Sequence, residues 1–327
     1  MKTLLICIGV LIVGLLMFRV NHSPSANLMA LNQEVETLYN RGNYVQAMIV
    51  AKKALEFAEC TYGQNHPDTA RCLNDLGELF RKQGNYSEAE ILCKRSLAIR
   101  ERTLGPMHGD VANSLNSIAF LCKNQGQFEQ AELLYKRALE IYEKVSGVNH
   151  PDVAFVLNNL VSLYCAQAKY EQAEPLIKRA LAINEKAYGS MHPEVAADLN
   201  VFAGLCKVQG QFSLSEQLYT RALDIRLKAL GERHPDVGTT LSNFAGLYVI
   251  QGQYEKAESF YFRALAIFEK SVETYHAKAA STLDHIAEIY RKTGRIQDAE
   301  LFEKRAAAIR KKANALKTPS SENSGTE

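Results

Sequence analysis

Apolar residues in this chain follow two successive helical patterns, as residues 150–191 illustrate. After a His-Pro-Asp triplet, apolar side chains recur at helical spacing from Val153 to Tyr164, which predicts an amphipathic helix. Proline fits the first helical position, and an acidic residue in the first turn faces the positive end of the helix dipole. A turn around Ala168 and a second helix over about residues 171–187 follow. We call these two predicted helices A and B.

The same pattern returns every 42 residues along the chain. Residues 24–317 hold seven such units without an insertion, and a constant period indicates a stacked array whose units cannot bury their apolar faces alone. The sequence therefore predicts an all-α solenoid of seven helix-turn-helix repeats, with units at residues 24–65, 66–107, 108–149, 150–191, 192–233, 234–275 and 276–317. One column is Leu31, Leu73, Leu115, Leu157, Leu199, Leu241 and Leu283, and another is His66, His108, His150, His192, His234 and His276.

A separate apolar segment precedes the repeats. Residues 3–18 carry no charged or strongly polar side chain and lie between Lys2 and Arg19. A basic residue, an apolar run and a zone of small residues are the parts of a secretory signal, while a run extended to Val20 approaches the roughly 20 residues that cross a bilayer. Residues 1–23 are expected to form one hydrophobic helix that acts as an uncleaved signal-anchor. A cleaved signal peptide and a buried core helix are the alternatives.

The expected location follows from this segment. A short basic N-terminal tail normally stays in the cytoplasm, so the solenoid would be membrane-anchored by a single helix on the non-cytoplasmic side, or exported after signal cleavage. Cys7 lies in the apolar segment, and the other cysteines have no C-x-x-C or zinc spacing, which favours a reducing compartment instead. The sequence leaves this conflict open, because buried thiols need not oxidise.

Composition excludes several classes of protein. A chain with 47 % hydrophobic and 23 % charged residues has a packed core and is not disordered throughout. A net charge of +2 gives no support for binding to nucleic acid. Residues 318–327 offer no apolar side chain to bury, so we expect a disordered tail there.

Four strings of residues carry a resemblance to a known family: His150-Pro-Asp-Val-Ala, Leu157-Asn-Asn-Leu, Tyr170-Glu-Gln-Ala-Glu and Lys178-Arg-Ala-Leu-Ala-Ile. They resemble the tetratricopeptide repeat, in the 42-residue form found in kinesin light chains and nephrocystin-3-like proteins, over residues 24–317. The resemblance implies a right-handed superhelix whose concave face is lined mainly by A helices. Two features depart from it: the family's common Trp near the start of helix A is Leu in every unit, and the heptad coiled coil that docks kinesin light chains on the motor is missing. Motor linkage is therefore not expected.

Catalytic and metal chemistry find no support in the sequence. The histidine column cannot share an ion, because neighbouring units are separated by packed helices about 8–10 Å apart whereas zinc binds nitrogen at about 2 Å. Each histidine is expected to cap a helix A instead. No nucleophile, metal or nucleotide motif occurs, so we expect no enzyme, no catalytic residue, no cofactor and no metal. Cys93, Cys122 and Cys206 replace Tyr of other units and are expected to be buried thiols.

An asparagine column is the best candidate for a binding site. It consists of Asn32, Asn74, Asn116, Asn158 and Asn200, with Ser242 and Asp284 in the last two units. Each follows the column leucine, so its side chain turns toward the inner face of helix A. An amide both donates and accepts hydrogen bonds, which suits pairing with the backbone of an extended peptide; in the resembling family this column lines the peptide groove. Alternatively, the asparagines bind neighbouring A helices and hold the superhelix together.

The same face carries basic and apolar residues. Arg81, Lys123 and Lys207 lie seven residues after the asparagine column, and Arg71 lies three residues before Asn74. Phe155, Cys165 and Val249 make the middle more apolar. We hypothesise that the groove binds an acidic segment that carries a large apolar anchor. The alternative is that these charges are scattered and solvated.

Three functions are compatible with this sequence. The first is a membrane-tethered scaffold that binds extended segments of a protein or peptide partner in the groove. The second is a structural adaptor that uses its convex helix B surface or end-to-end stacking. The third is an accessory subunit of a secretion or envelope assembly, for which only the N-terminal segment argues.

Overall fold

The computed structural model of the chain describes residues 23–271 and 276–317. This part of the chain is all-helical and alternates between A helices, which carry odd numbers, and B helices, which carry even numbers. The helices are α1 (Pro24–Asn40), α2 (Tyr44–Tyr62), α3 (Pro67–Gln83), α4 (Tyr86–Leu104), α5 (Gly109–Asn124), α6 (Phe128–Val145), α7 (Pro151–Ala166), α8 (Tyr170–Tyr188), α9 (Pro193–Val208), α10 (Phe212–Leu230), α11 (Pro235–Ile250), α12 (Tyr254–Glu269), α13 (His276–Lys292) and α14 (Ile296–Lys317).

A histidine starts each A helix from α3 to α11. Its imidazole Nδ1 accepts a hydrogen bond from the backbone N–H two residues later, over 3.1–3.3 Å. This bond satisfies one of the free N–H groups of the first turn. The expected capping role is confirmed for His66, His108, His150, His192 and His234.

The turn between helices A and B needs a left-handed residue in every unit. Glycine supplies it in six of them, as Gly126 does with a φ of 78°. In the fourth unit Ala168 takes the same conformation with a φ of 55°, which is uncommon for a residue with a Cβ atom. The repeating turn therefore overrides the local preference of this alanine.

Small residues on the B helices allow the A helices to approach closely. Ala173 and Ala180 of α8 are fully buried against Leu157, Leu160 and other large side chains of α7. Ser215 is the one departure from the alanine column, and its hydroxyl donates to the backbone carbonyl of Ala203 at 2.7 Å. The hydroxyl group of Ser215 therefore has a hydrogen-bond partner inside the core.

Stacking of the units produces one continuous array. Each B helix packs both on the A helix of its own unit and on the A helix of the next unit. A repeat protein of this kind is held together by contacts between nearest neighbours. The predicted solenoid of seven helix-turn-helix units is confirmed.

Two predictions concern residues that the structure does not describe. The predicted hydrophobic helix of residues 1–23, apart from Ser23, and the predicted disordered tail of residues 318–327 lie outside the described part of the chain. Within residues 23–271 and 276–317, no helix combines the length and the apolar composition that crossing a bilayer requires.

Candidate functional site

The A helices line the inner side of the stack. Successive A helices from α3 to α11 contact each other, whereas the backbones of successive B helices make at most marginal contact. The stack therefore curves toward its A helices. We define the inner face by Phe155, Asn158, Asn159, Ser162 and Cys165 of α7, together with the side chains at the same positions of the other A helices.

The asparagine column lies on this inner face and is bonded between units. Its amide groups join the successive A helices from α3 to α11, in the pairs Asn74–Asn113, Asn116–Asn159, Asn158–Asp198 and Asn200–Asn243. The donor–acceptor distance is 2.6 Å for Asn158–Asp198 and 2.8 Å for Asn116–Asn159. These bonds correspond to the structural alternative for the column. They do not use all of its capacity, because within the described residues the amide nitrogens of Asn116 and Asn200 have no acceptor.

Burial of this column decreases from the second unit to the sixth. Asn74 and Asn116 are buried, whereas Asn158, Asn200 and Ser242 are half-buried. An amide or hydroxyl group that reaches solvent can still bind a ligand. The second half of the inner face therefore has the more accessible polar groups.

Asp198 is a buried carboxylate that the sequence pattern did not identify. It accepts hydrogen bonds from Asn158 at 2.6 Å and from Asn184 at 2.8 Å. Burial raises the pKa of this carboxyl to about 6, although both amide bonds act in the opposite direction. The group links α7, α8 and α9 below the inner face, and the signal for it was an acidic residue in a column that otherwise holds small or apolar side chains.

Arg81 is already engaged by residues of its own surface. Its guanidinium forms an ion pair with Glu78 at 2.6 Å and lies over the ring of Phe120 with 4.5 Å to the ring centroid. Glu78 also accepts a hydrogen bond from Ser117 at 2.9 Å. Arg81 therefore has little capacity left for an acidic ligand, and its main role is to join α3 to α5.

Lys123 and Lys207 occupy equivalent positions but have different partners. Lys123 donates to the hydroxyl of Ser162 at 2.8 Å, and burial together with Arg81 lowers its pKa. Lys207 lies over Gly246, where an added Cβ atom would be 3.3 Å from its Nζ. Burial alone lowers the pKa of Lys207, and no carboxylate among the described residues forms an ion pair with it. Lys207 is therefore the cation of this face that is most available to a ligand.

Arg71 lies far from this lysine, near the first unit. It is exposed at the edge of a depression of about 390 Å³ between α1 and α3, which Asn32, Glu36 and Asp68 also line. Charges of both signs meet here. The structure thus separates the predicted basic residues instead of bringing them into one cluster.

The A helices of the fourth to sixth units, which include Lys207, expose several apolar side chains. Phe155, Val208 and Ile250 are 56 %, 48 % and 54 % exposed. Cys165 and Val249 are half-buried in the same region. Val208 and Ile250 were missed by the sequence analysis because their column is polar in the first three units. These A helices therefore expose apolar side chains together with one available cation.

Reactive groups are not gathered on this face. Among the described residues, no group of three or more His, Cys, Asp or Glu side chains lies close enough to hold a metal ion. Cys93, Cys122 and Cys206 are buried thiols, as predicted, and burial raises the pKa of the Cys93 thiol to about 12. Such thiols are poor nucleophiles.

Comparison with known families identifies the repeat. The tetratricopeptide repeat matches six overlapping stretches, at residues 27–102, 76–144, 110–186, 152–228, 195–270 and 236–312. The chain belongs to the tetratricopeptide repeat family. The resemblance that the sequence strings carried is thereby confirmed. No curated protein matches this tetratricopeptide repeat chain.

Solved structures of tetratricopeptide repeat proteins include kinesin-light-chain-like relatives. BtubC (BKLC) from P. vanneervenii is 24 % identical with a TM-score of 0.56, over 76 % of this chain and 96 % of that one. A putative kinesin light chain from Podosopora anserina with nearly identical TPR-like repeats is 25 % identical with a TM-score of 0.52, over 62 % and 96 % of the two chains.

A third similar structure contains a bound peptide. The Rap conjugation gene regulator of the plasmid pLS20, solved in complex with the Phr* peptide, is 14 % identical with a TM-score of 0.66, over 91 % of this chain and 79 % of that chain. At this identity the likeness concerns the fold alone. A scaffold for protein–protein interaction is consistent with the repeat fold of this chain.

Proposed function

We propose that the protein is a non-enzymatic scaffold that binds an extended segment of a protein partner on the inner face of its fourth to sixth units. The observation that carries this proposal is Lys207, a half-buried residue that forms no ion pair with a carboxylate among the described residues, on a set of A helices that also expose Phe155, Val208 and Ile250. A desolvated cation gains free energy when an anion binds beside it. A protein of similar fold that is solved in complex with a peptide supports peptide binding as the function.

The side chains of this region limit the kind of peptide segment that can bind. One cation and several apolar side chains fit a segment with a large apolar residue and a single nearby carboxylate. A strongly acidic segment is less well matched, because Arg81 and Lys123 are bonded to Glu78 and Ser162. The asparagine column would add hydrogen bonds to the ligand backbone through its unused amide groups.

Substitution of Lys207 tests this function. We expect Lys207→Ala to weaken binding of peptides selected from a displayed random library by about tenfold, which corresponds to ~1.4 kcal/mol, and Phe155→Ala to weaken it as well. Selected peptides should be enriched in a large apolar residue next to Asp or Glu. Isothermal titration with synthetic peptides measures the affinities.

Lys186→Ala provides a matched control, since this lysine is an exposed residue in the last turn of α8. Equal affinities of Lys207→Ala and Lys186→Ala would contradict the proposed site. A triple replacement that includes Asn158 is less informative, because loss of its bond to Asp198 would also disturb the stack.

The structural adaptor remains a second candidate, favoured by one specific feature of the convex side. Ile49, Ile91 and Leu133 are exposed at the same position of three successive B helices, α2, α4 and α6. A row of exposed apolar side chains is typical of an interaction surface. If Ile91→Glu with Leu133→Glu abolishes complex formation while Lys207→Ala does not, the convex surface is the working one.

A further inference from the structure

The two edges of the solenoid differ in chemical character. One edge carries the turns within units, and their tips consist of Gly, Asn, Gln, Lys and similar polar residues. The other edge carries the loops that join units, and three successive loops expose apolar tips. Met107, Val148 and Met191 are 42 %, 54 % and 48 % exposed. We call the surface formed by these three residues, with Pro106, Val145 and Tyr188, the loop edge.

The three apolar tips are presented by the same backbone turn. The N–H groups of the following histidines His108, His150 and His192 donate to the carbonyl oxygens of Gly105, Gly147 and Gly189 over 3.4, 3.0 and 3.3 Å. Each glycine has a φ between 86° and 94°. Three successive loops therefore hold an apolar side chain within the same turn, at its third position in Met107 and Met191 and at its second position in Val148.

Among the loops between units that the structure describes in full, only these three have an apolar tip. The preceding loop carries Gln64 and Asn65 at its tip, and the loop after the fifth unit carries Glu232 and Arg233. Because the backbone of these loops is the same Gly-x-x-His turn, folding does not require an apolar tip. Val145 and Tyr188 extend the exposed apolar surface on α6 and α8.

Charges around the loop edge are balanced. Arg102, Lys144 and Lys186 lie in the last turns of α4, α6 and α8. The first turns of α5, α7 and α9 carry the acidic residues Asp110, Asp152 and Glu194. A surface with exposed apolar tips and alternating charges matches a layer of zwitterionic phospholipid headgroups above hydrocarbon.

The path of the chain places this edge next to the apolar run of residues 3–18. All A helices begin at the loop edge side of the stack, and α1 begins there at Pro24. The apolar run of residues 3–18 ends only a few residues earlier, and an extended chain spans at most about 3.5 Å per residue. If residues 3–18 enter a membrane, the loop edge is the side of the solenoid that lies nearest to it.

We propose that the loop edge rests on the surface of a phospholipid bilayer, with Met107, Val148 and Met191 in the interfacial layer. The solenoid then contacts the membrane through the loop edge, and its inner face remains accessible to a ligand. Attachment comes from apolar contact, so it is insensitive to salt. This surface is separate from the peptide site around Lys207, and either can fail without the other.

The absence of tryptophan from the chain provides a direct test. Single substitutions Met107→Trp and Met191→Trp are made in the full chain, which is then reconstituted with phosphatidylcholine vesicles. We expect the emission of both tryptophans to shift to shorter wavelength, and lipids with brominated acyl chains to quench it. Both effects should persist at high salt concentration.

Matched controls lie on the opposite edge. Gln127 and Gln211 are exposed N-cap residues of α6 and α10 without side-chain capping bonds, so Gln127→Trp and Gln211→Trp should remain unquenched in the same vesicles. Unquenched tryptophans at both Met107 and Met191, equal quenching on both edges, or quenching that high salt abolishes would overturn the proposal. A chain held by its N-terminal segment alone gives the first of these results, so the tether and the edge contact are distinguished.

Discussion

At the scale of single residues, Asp198 is a carboxyl group whose burial is expected to cost free energy. It is fully buried and its direct partners are two neutral amides, Asn158 and Asn184. A carboxylate in such surroundings loses hydration that the amides replace only in part. The corresponding positions of other units hold Ser114, Thr240 and similar side chains that avoid this cost.

Protonation of Asp198 should therefore stabilise the fold. Its native pKa of about 6 lies above the ordinary value of 3.8, so the folded state binds the proton more tightly, and the penalty is complete above pH 6 and absent below about pH 4. Between pH 7 and pH 5, we expect the unfolding free energy of the natural protein to gain about 1 kcal/mol relative to Asp198→Asn, which cannot titrate. Denaturant titrations at both pH values measure this difference.

The comparison with the variant removes contributions from other carboxyls, including Asp75, whose pKa burial also raises to about 6. Asp224→Asn is a suitable control, because Asp224 is exposed and paired with Lys228. If the unfolding free energy rises by the same amount toward low pH in the natural protein and in Asp198→Asn, folding does not raise the pKa of this carboxyl.

At the scale of helices, ion pairs join the B helices of neighbouring units. Arginines of one B helix form ion pairs with glutamates of the preceding B helix at 2.6–2.7 Å, in Arg95–Glu59, Arg137–Glu101, Arg179–Glu143, Arg221–Glu185 and Arg305–Glu269. These residues are visible in the sequence as two columns. Their pairing is not visible in the sequence, because it joins different units.

Helix packing also predicts opposite effects on stability when two glycines are replaced by alanine. A Cβ atom at Gly238 of α11 would lie 2.9 Å from the ring of Phe268, whereas at Gly204 of α9 its nearest neighbour would be the Tyr219 hydroxyl at 3.5 Å. We expect Gly204→Ala to stabilise the protein by about 0.5–1 kcal/mol through helix propensity. Gly238→Ala should destabilise it by about 1–3 kcal/mol through overpacking.

Thermal or denaturant unfolding of the two variants measures these effects, with circular dichroism as the probe. The double variant Gly238→Ala with Phe268→Leu should recover part of the loss, because the smaller side chain frees the space. If Gly238→Ala is as stable as Gly204→Ala, the close approach of α11 and α12 does not limit this position.

At the scale of the whole molecule, the end units differ from the inner ones. In α1 the positions that pack on a preceding unit elsewhere carry the exposed residues Asn27, Ala30, Glu34 and Thr37. In α14 the outward positions include Glu303 and Arg310, which pair with Arg291 and Asp284. Polar outer faces are typical of capping units, and they offer little apolar surface for end-to-end stacking of solenoids.

Protection against hydrogen exchange should follow this arrangement. In α1 only Leu28 and Val35 are buried, whereas α7 buries eight residues, and local opening costs least where the fewest apolar contacts must break. Exchange measured by mass spectrometry should be slowest in α5 to α10 and faster toward α1 and α14. Uniform protection along the array would indicate a single cooperative unit instead.

The sequence by itself determined the repeat, its seven units and the character of each helix. These properties are local or periodic: a proline and an acidic residue start helix A, glycine ends it, and alanine and leucine columns pack against each other in every unit. Helix B of the fourth unit, expected over about residues 171–187, is observed at Tyr170–Tyr188. Histidine capping and buried cysteines followed from the same reasoning.

Only the tertiary structure decided which side chains of the inner face are free. The sequence placed Arg81, Lys123 and Lys207 in one column, but their availability depends on residues from neighbouring helices: Glu78 and Phe120 for Arg81, Ser162 for Lys123 and Gly246 for Lys207. Hydrogen bonds and burial of this kind depend on the distance between units. A column of residue types cannot specify them, because each boundary between units brings a different set of side chains into contact.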